Sequence, residues 1–544
     1  MTREMKIGRR GILALGTGLC INSAFDPFVR AATSATQVVK TTNGPVRGTV
    51  EAGVQTFRGL RYGATTAGAG RFMPPRKPTP WTAMAEATQY GHATMQFNAA
   101  GNVSVQRPLV DKALHEILLP PDDVRTQSED CLFLNVWTPQ LGGKRPVMMW
   151  IHGGGFDYGS ASWHCYDGHN LAARHDVVLV GVNHRLNFYG NLYLGGSATG
   201  NVGQLDLVAA LEWIRDNIAE FGGDPGNVTI FGQSGGGRKV TYLLTMPSAK
   251  GLFHKAIIES GAQIRGVSKD AATQNADAVY KIMKVAPGDI KALQAIPADK
   301  FTKALEAASA PGANGARGLA GWNPVTDGSV VPEDPFVGHA PSVSANIPLI
   351  IGSNKDERTL YNTGMPWWGK MTKEESLARA KKELGKIGDK AEALYAAFEK
   401  IHPDYSPTYL YNAVTTSNQW WFASIKIAEE RAAQRQASTW NYHFEWETPV
   451  DGGILKSPHT MEMVFVFDNI EKAPTYVGKS AGARQLADLM SGTWATFAKT
   501  GNPNHSGMPD WPAYDARTRA TMALNVQSKV VHDQYGEARK ILDS

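Results

Sequence analysis

A serine set among closely spaced glycines is the residue whose surroundings most directly suggest chemistry. The apolar, β-branched run 228–231 breaks into Gly-Gln-Ser-Gly-Gly (232–236), and helix-like spacing then continues to Thr245. Glycine neighbours allow a serine to occupy a sharp strand-to-helix turn, where its hydroxyl is pushed into a cleft. The pattern predicts Ser234 as a nucleophile. A glycine-rich loop that merely caps a helix is the alternative that this motif alone leaves open.

Three consecutive glycines follow a second apolar run. Residues 147–151 predict a buried strand, which leads into His152, three glycines (153–155) and Phe156. Backbone N–H groups that no side chain obstructs can face outward and bind a developing oxyanion. We therefore expect Gly154 and Gly155, with Gly235 beside the serine, to form an oxyanion hole. A flexible turn is the alternative.

The composition is that of a large globular protein. Of the 544 residues, 42% are hydrophobic and 19% are charged, which supports a sizeable core and argues against disorder. Because no repeat or Pro/Ser-rich linker divides the chain, we predict a single catalytic domain over residues 36–544. A net charge of +5, with no basic block beyond Arg9-Arg10, argues against a nucleic-acid partner.

Residues 1–35 have the features of an export signal. Arg9 and Arg10 precede a ten-residue apolar run (12–21) that is too short to span a bilayer, and small residues at 31–35 suit a cleavage region. Paired arginines in this context predict a twin-arginine signal, and therefore a periplasmic or secreted enzyme without a stable membrane anchor. A frayed N-terminal helix is the alternative.

Beyond this segment the sequence has two cysteines, Cys131 and Cys165, which we expect to be buried thiols. His164, Asp167 and His169 lie near Cys165, and such a group could in principle bind a metal. The group has no regular ligand spacing and falls in a predicted loop, so we expect surface histidines, with no metal and no other cofactor.

Together these motifs resemble the type-B carboxylesterase family, the α/β-hydrolases that include bacterial carboxylesterases and animal cholinesterases. The resemblance covers nearly all of the chain after the export segment, through residues 57–59, 129–135, 152–156, 201–206, 221–225, 228–237, 253–261, 494–498 and 501–504. It implies an α/β fold of the α/β-hydrolase type. In that fold helices flank a central, mostly parallel twisted sheet, with N-terminal antiparallel strands and helical cap insertions.

The resemblance also implies the partners of the serine, because α/β-hydrolases place them in the order Ser, Asp/Glu, His. The buried run 348–352 leads toward Asp356 and Glu357, and Glu357 matches the acid of the family. Arg358 stands where the family usually has glycine and could crowd the turn, so Asp356 stays a less favoured candidate for the acid. His459, in segment 457–467, matches the family's base. The implied reaction is ester hydrolysis through a covalent acyl-enzyme.

Three departures from the family pattern bear on the site. Thr94 stands where the family's first disulfide would pair with Cys131. No tryptophan lies between Trp81 and Cys131, where cholinesterases bind quaternary ammonium groups. Gln233 replaces the glutamate that usually precedes the nucleophile. We therefore expect small to medium, uncharged esters as the partner molecules.

Candidate pocket residues are Gln233, Phe156 and Trp163. Tryptophans in the expected insertions either line an aromatic pocket or pack a helical cap; they are Trp163, Trp322, Trp367, Trp368, Trp420 and Trp421. The sequence leaves the physiological ester and the oligomeric state open. It also leaves two other functions open, an amidase or carbamate hydrolase with the same triad and a non-catalytic binding relative of the fold.

Overall fold

The structure of the protein is a computed structural model that describes residues 34–96, 108–118, 126–196, 199–309 and 321–544. The predicted export signal lies outside these residues except for positions 34 and 35, which form a short strand. Within these ranges, no helix combines the length and the apolar character that crossing a membrane requires.

A large mixed sheet is the centre of the fold. Among the described residues twelve strands form it, in the spatial order β1 (Ser34–Ala35), β4 (Thr49–Glu51), β5 (Val54–Arg61), β7 (Phe133–Thr138), β9 (Val178–Val182), β8 (Arg145–Ile151), β10 (Gly223–Gln233), β11 (Lys255–Glu259), β12 (Leu349–Asn354), β13 (Thr439–Phe444), β14 (Ala520–Leu524) and β15 (Lys529–His532). A small second sheet joins β2 (Val39–Lys40), β3 (Pro45–Arg47) and β6 (Ala85–Glu86).

Strand direction separates the large sheet into two parts. Strands β9, β8, β10, β11, β12, β13 and β14 are mutually parallel. Strands β1, β4, β5 and β7 pair antiparallel at one edge, and β15 does so at the other. The predicted mostly parallel sheet with N-terminal antiparallel strands is confirmed. Because β8, β10 and β12 are parallel, the loops after them meet at one edge, where such sheets place chemistry.

Helices flank the sheet and form the insertions. They are α1 (Pro108–Leu118), α2 (His169–His175), α3 (Asn187–Asn191), α4 (Val202–Asn217), α5 (Gly235–Leu243), α6 (Lys269–Met283), α7 (Ile290–Ala295), α8 (Ala298–Ser309), α9 (Thr359–Asn362), α10 (Lys373–Leu384), α11 (Ala391–Ile401), α12 (Pro407–Thr416), α13 (Phe422–Gln434), α14 (Met461–Val466), α15 (Pro474–Val477), α16 (Ala481–Thr500) and α17 (Gly536–Asp543). One π-helical turn, Ser417–Trp421, joins α12 to α13.

The central strands are buried on both faces, which explains why they read as continuous apolar runs. In β8, Val147, Met149 and Ile151 pack in one apolar core, with side chains of α4 and α5. Met148 and Trp150 pack in a second core on the opposite face, with side chains of α2, α14 and α16. Alternate residues of a strand point to opposite faces, so one strand contributes to both cores.

Two of the matched family segments have a structural role. Arg71 donates two hydrogen bonds of 2.6 Å to Glu129, and Arg185 donates bonds of 2.8 and 2.7 Å to Asp206. All four side chains are buried. A buried charge is tolerated when it is paired and hydrogen-bonded, so these pairs fix the loops that carry them.

Candidate active site

Ser234 lies in a strained turn between β10 and α5. Its backbone angles are φ 55° and ψ −121°, a conformation that a non-glycine residue rarely adopts, and its N–H donates to the carbonyl of Glu259 at 2.8 Å. The backbone of Ile151 occupies the space where a Cβ on Gly232 or Gly236 would have to lie. The serine itself is partly exposed, although Gln233 and Gly235 beside it are buried. The turn therefore presents the hydroxyl at the carboxyl edge of the sheet.

The loop after β8 has all four of its carbonyl groups, from His152 to Gly155, occupied by donors. The Lys239 amine donates to His152 O at 3.2 Å and to Gly155 O at 2.8 Å. His152 Nδ1 contacts Gly153 O at 3.0 Å, and the backbone N–H groups of residues 157 and 158 donate to Gly154 O at 3.2 Å each. Gly154 and Gly155 adopt positive φ angles of 85° and 62°. We call residues 153–155 the oxyanion loop.

The N–H groups of the inner peptide groups of this loop point away from its bonded carbonyls. Within the described ranges, the N–H groups of Gly154, Gly155 and Gly235 donate to no protein group. The backbone of Gly155 fills the space where a Cβ on Gly235 would lie, so the oxyanion loop packs directly on the first residue of α5. Unpaired N–H groups beside a serine suit the binding of an oxyanion. The structure thus brings together all three predicted oxyanion glycines.

His459 and Glu357 meet although 102 residues separate them in the sequence. His459 Nδ1 and Glu357 Oε2 form a short hydrogen bond, and Glu357 Oε1 accepts a second bond from the backbone N–H of Asn354 at 2.8 Å. The imidazole is 2% exposed and the carboxylate is fully buried. The Asn354 amide also donates to Pro458 O at 2.7 Å, and the hydroxyl of Tyr476 donates to His459 O at 2.5 Å. These bonds fix the acid and the histidine relative to each other.

Asp356, the less favoured candidate acid, has other partners. It accepts the Tyr405 hydroxyl at 3.0 Å and the Ser457 N–H at 3.3 Å, and the Lys355 amine lies 3.6 Å away. Arg358 does not crowd the turn, because its guanidinium extends over the ring of Trp420 and pairs with Glu383. Of the two adjacent carboxylates, the structure brings only Glu357 to His459.

Two buried glutamates near this pair escaped the sequence analysis. Glu462 accepts the Asn354 amide at 2.5 Å and the Ser260 hydroxyl at 3.2 Å. Burial, followed by the charges of Glu357 and Glu259, raises the pKa of Glu462 well above its usual value. Burial also raises the pKa of Glu259 to about 8, against the hydrogen bond from Trp494. Burial therefore favours the neutral form of both carboxyls. The signal for Glu462 was a single carboxylate in the apolar run 461–467.

Gln233 is 1% exposed and its amide faces the imidazole of His459. The amide nitrogen lies 3.3 Å from Nε2 and 3.5 Å from Nδ1. An atom at these two distances lies over the ring face, because a position in the ring plane would bring it into steric overlap with Cε1. The residue before the serine therefore contacts the predicted base.

The aromatic residues divide between the site and the cores. Tyr361 and Trp420 flank His459, with ring centroids 5.6 and 5.5 Å from the imidazole. Trp163 is half-buried and stacks on Tyr166 at 5.6 Å, and Phe156 is 3% exposed against Tyr242. Trp322 and Trp421 are core residues, and Trp367 packs edge-on against Tyr411 at 5.5 Å beside Trp368. The pocket roles of Gln233, Phe156 and Trp163 stay predictions.

The cysteines match the expectation of buried thiols. Cys131 and Cys165 are free and fully buried, and burial raises the pKa of Cys131 to about 12. His164 and Cys165 lie in a short 3-10 turn, with His169 at the start of α2. Over the ranges that the structure describes, no group of three or more His, Cys, Asp or Glu side chains is arranged to hold a metal ion.

Known proteins resemble this chain over almost its whole length. The carboxylesterase family matches residues 35–541. Para-nitrobenzyl esterase of Bacillus subtilis (strain 168) is 34% identical over 513 residues, which cover 93% of this chain and 98% of that protein. Phenmedipham hydrolase of Pseudarthrobacter oxydans is 30% identical over 495 residues, with coverages of 90% and 94%.

Solved structures of esterases also resemble this chain over almost its whole length. A carboxylesterase of Geobacillus stearothermophilus superposes with a TM-score of 0.78 at 34% identity, covering 93% of this chain and all of that one. An esterase of Clostridium hathewayi that can hydrolyse aliphatic aromatic polyesters gives a TM-score of 0.77 at 30% identity, with coverages of 94% and 99%. The chain therefore belongs to the carboxylesterase family, has the α/β-hydrolase fold and is a serine carboxylesterase.

Proposed function

We propose that the protein hydrolyses carboxylic esters through a triad of Ser234, His459 and Glu357, with Gly154, Gly155 and Gly235 as the oxyanion hole. The observation that carries this proposal is the hydrogen bond between His459 and Glu357 at the sheet edge where the strained serine turn lies. The unpaired N–H groups beside that turn support it.

The reaction has two steps, each with a tetrahedral oxyanion. In the first, His459 accepts the Ser234 proton while the hydroxyl oxygen attacks the ester carbonyl carbon. The intermediate collapses as His459 returns the proton to the leaving alkoxide, which gives the alcohol and an acyl-enzyme. In the second, His459 takes a proton from water, the hydroxide attacks the acyl carbon, and the acid leaves as the serine is reprotonated. Glu357 holds the imidazole in the required tautomer and stabilises the imidazolium.

We propose small to medium, uncharged esters as substrates, para-nitrobenzyl esters among them. Gln233 puts a neutral amide over the imidazole where a carboxylate would attract cationic esters. The aromatic rings of Tyr361 and Trp420 beside His459 suit an apolar or aromatic group near the reacting carbonyl. The resemblance to the para-nitrobenzyl esterase of B. subtilis supports this choice.

The test is a substrate panel run with wild type and Ser234→Ala. We expect esters to be cleaved faster than amides and carbamates of the same acyl and aryl groups, and Ser234→Ala to lower kcat by about 10⁶-fold. A fluorophosphonate should label Ser234 in the wild type alone, as read by peptide mass spectrometry. Faster amide or carbamate turnover would favour the alternative hydrolase. Failure to label or turn over any member of the panel would favour a non-catalytic binding relative.

We also propose that the enzyme is exported to the periplasm or secreted, through the twin-arginine route. The paired arginines and the short apolar run of residues 1–35 support this proposal. Replacing Arg9 and Arg10 together by lysine should leave the enzyme in the cytoplasmic fraction with its activity intact. An unchanged distribution between the fractions would count against the twin-arginine route.

A further inference from the structure

Helix α5 carries a lysine that the mechanism above does not use. Lys239 lies five residues after Ser234 and is 1% exposed. Its amine donates to His152 O at 3.2 Å and to Gly155 O at 2.8 Å, and it lies 5.2 Å from the ring centroid of Phe156. Lysine is rarely buried to this extent, because an ammonium loses its hydration there. Its contacts lie at both ends of the oxyanion loop.

These two hydrogen bonds from Lys239 restrict the orientation of the peptide groups in the loop. In a peptide group the C=O of one residue and the N–H of the next point in opposite directions. Holding the His152 and Gly155 carbonyls therefore fixes the two outer peptide groups of the loop. The inner peptide groups carry the N–H donors of Gly154 and Gly155, and local bonds to Gly153 O and Gly154 O orient them. Lys239 thus joins the loop by side-chain hydrogen bonds to α5, the helix that follows Ser234 and begins at Gly235.

The charged and titratable groups around this amine come from three elements. Asp157 approaches from the loop beyond Gly155, and Arg238 precedes it on α5. His152 and His184, which follow β8 and β9, stack at 4.7 Å, and burial followed by the charge of Lys239 lowers the pKa of both, that of His152 to about 3. Burial lowers the pKa of Lys239 itself to about 7, opposed by Asp157 and reinforced by Arg238. Burial raises the pKa of Asp157, against the charges of Lys239 and Arg238.

We propose that Lys239 is a positioning residue whose ammonium group holds the oxyanion loop against α5, so that the oxyanion hole is fully formed only while this amine is protonated. The inference rests on the proposed ester hydrolysis, since it concerns the donors of that reaction. An ammonium has three donors and makes charge-assisted bonds, which are about twice as strong as neutral ones. A neutral amine keeps two weaker donors, so deprotonation loosens the loop without releasing it.

The experiment compares wild type with Lys239→Met and Lys239→Gln on one neutral ester between pH 5.5 and 9. Methionine fills the volume without a donor, and glutamine keeps a donor that does not titrate. Lys255→Met is the matched control, because Lys255, at the start of β11, is also buried, has a pKa lowered to about 8 by burial, and donates to Asn227 of β10. The readouts are kcat, KM, the inhibition constant of a trifluoromethyl ketone and the melting temperature.

At pH 6 we expect Lys239→Met to lower kcat by about 10- to 100-fold with KM little changed, because oxyanion contacts act mainly in the transition state. Affinity for the ketone should fall in parallel. The ratio of wild-type to Lys239→Met kcat should shrink as the pH rises through about 7 and the wild type loses its ammonium. Lys239→Gln should recover part of kcat with no such pH dependence, and Lys255→Met should keep the wild-type kcat.

Several outcomes would overturn the proposal. They are an unchanged kcat in Lys239→Met, a loss confined to KM, a wild-type to variant ratio that stays constant across the pH range, and an equal loss in Lys255→Met. If Lys239→Met does not fold, the proposal is tested by Lys239→Gln and by the pH dependence of ketone binding to the wild type. Turnover and Ser234 labelling by the wild type test the ester hydrolysis independently, so its failure is distinguishable from failure of this inference.

Discussion

The two sides of the candidate site are built in different ways. The oxyanion side consists of main-chain groups: Gly154 and Gly155 adopt positive φ angles, and the missing side chain of Gly235 leaves room for the backbone of Gly155 against α5. On the acid–base side, the side chains of Glu357 and His459 meet from distant parts of the chain. Their positions depend on other side chains, chiefly the Asn354 amide and the Tyr476 hydroxyl. On the oxyanion side, the side chains that contact the loop carbonyls include Lys239 and His152.

The two sides should be sensitive to different kinds of substitution. A main-chain site tolerates changes in most neighbouring side chains but not an added Cβ where two backbones touch. A side-chain site tolerates small backbone changes but depends on the charge and tautomer of each member. The same kind of conservative substitution should therefore have very different effects on the two sides.

A conservative change on the acid–base side, Glu357→Gln, should have a large effect. An amide in place of the carboxylate can donate to His459 Nδ1, which favours the tautomer whose Nε2 carries the proton and cannot accept one from Ser234. We expect kcat to fall by about 10³- to 10⁴-fold with the fold retained. The neighbouring Asp356→Asn is the matched control and should be mild, because Asp356 binds Tyr405 and Ser457 instead. A reversed ranking of the two variants would assign the acid to Asp356.

On the oxyanion side, the addition of a single methyl group should be enough to lower kcat. Gly154 has a φ of 85°, and a Cβ there would overlap the carbonyl oxygen of Tyr158, so Gly154→Ala must displace the loop. We expect kcat to fall by about 10²- to 10³-fold, as for loss of one oxyanion donor.

Gly288 provides a closely matched control for backbone strain. It also has a φ of 85° and lies in the connection between α6 and α7, but among the described residues other than its chain neighbours no atom comes within 4 Å of the position of an alanine methyl group. Gly288→Ala should cost about 1–2 kcal/mol of stability through the strained backbone and leave kcat unchanged. Equal kcat values in the two alanine variants would mean that the loop of Gly154 does not contribute to catalysis.

The contrast also explains what the sequence could predict. The serine turn and the glycine loop are local, because tight backbone geometry limits which residues fit, and the sequence predicted both. The strands were predictable because burial on both faces makes them continuously apolar. The choice between Asp356 and Glu357 could not be made locally, since adjacent residues differ only in which distant group they reach. The resemblance to a family, more than any local pattern, pointed to Glu357.

Lys239, Glu462 and Gln233 mark the limit of prediction from sequence. Each is a buried polar side chain, and the local sequence does not name its partner. The partner is set by packing of elements far apart in sequence, as for Gln233 and His459, which lie 226 residues apart. The sequence therefore indicated a departure at Gln233 without establishing that its amide would face the imidazole.

The smallest predicted effect, a shift in a pH profile, tests whether the two sides act separately. Gln233→Glu would place a carboxylate over the imidazole, where the amide nitrogen now lies 3.3 Å from Nε2. A negative charge within about 4–6 Å favours the protonated imidazole, so the acid limb of kcat/KM should move upward by about one pH unit or more. The sign follows because His459 must be neutral to accept the serine proton, and a neighbouring anion keeps it charged to higher pH.

The second limb is the decline of wild-type kcat above about pH 7, measured relative to Lys239→Met. This high-pH limb should stay in place in Gln233→Glu, because Lys239 acts on the other side of the serine. Turnover of cationic esters should also increase relative to that of neutral esters of equal size, since the new carboxylate attracts positive charge.

Gln527→Glu, an exposed position in the turn between β14 and β15, controls for an added negative charge and should leave both limbs in place. Superimposable acid limbs for wild type and Gln233→Glu would show that charge at this position does not reach the base. If both limbs moved together, the oxyanion and acid–base sides would titrate as one coupled unit, and their separation would be wrong.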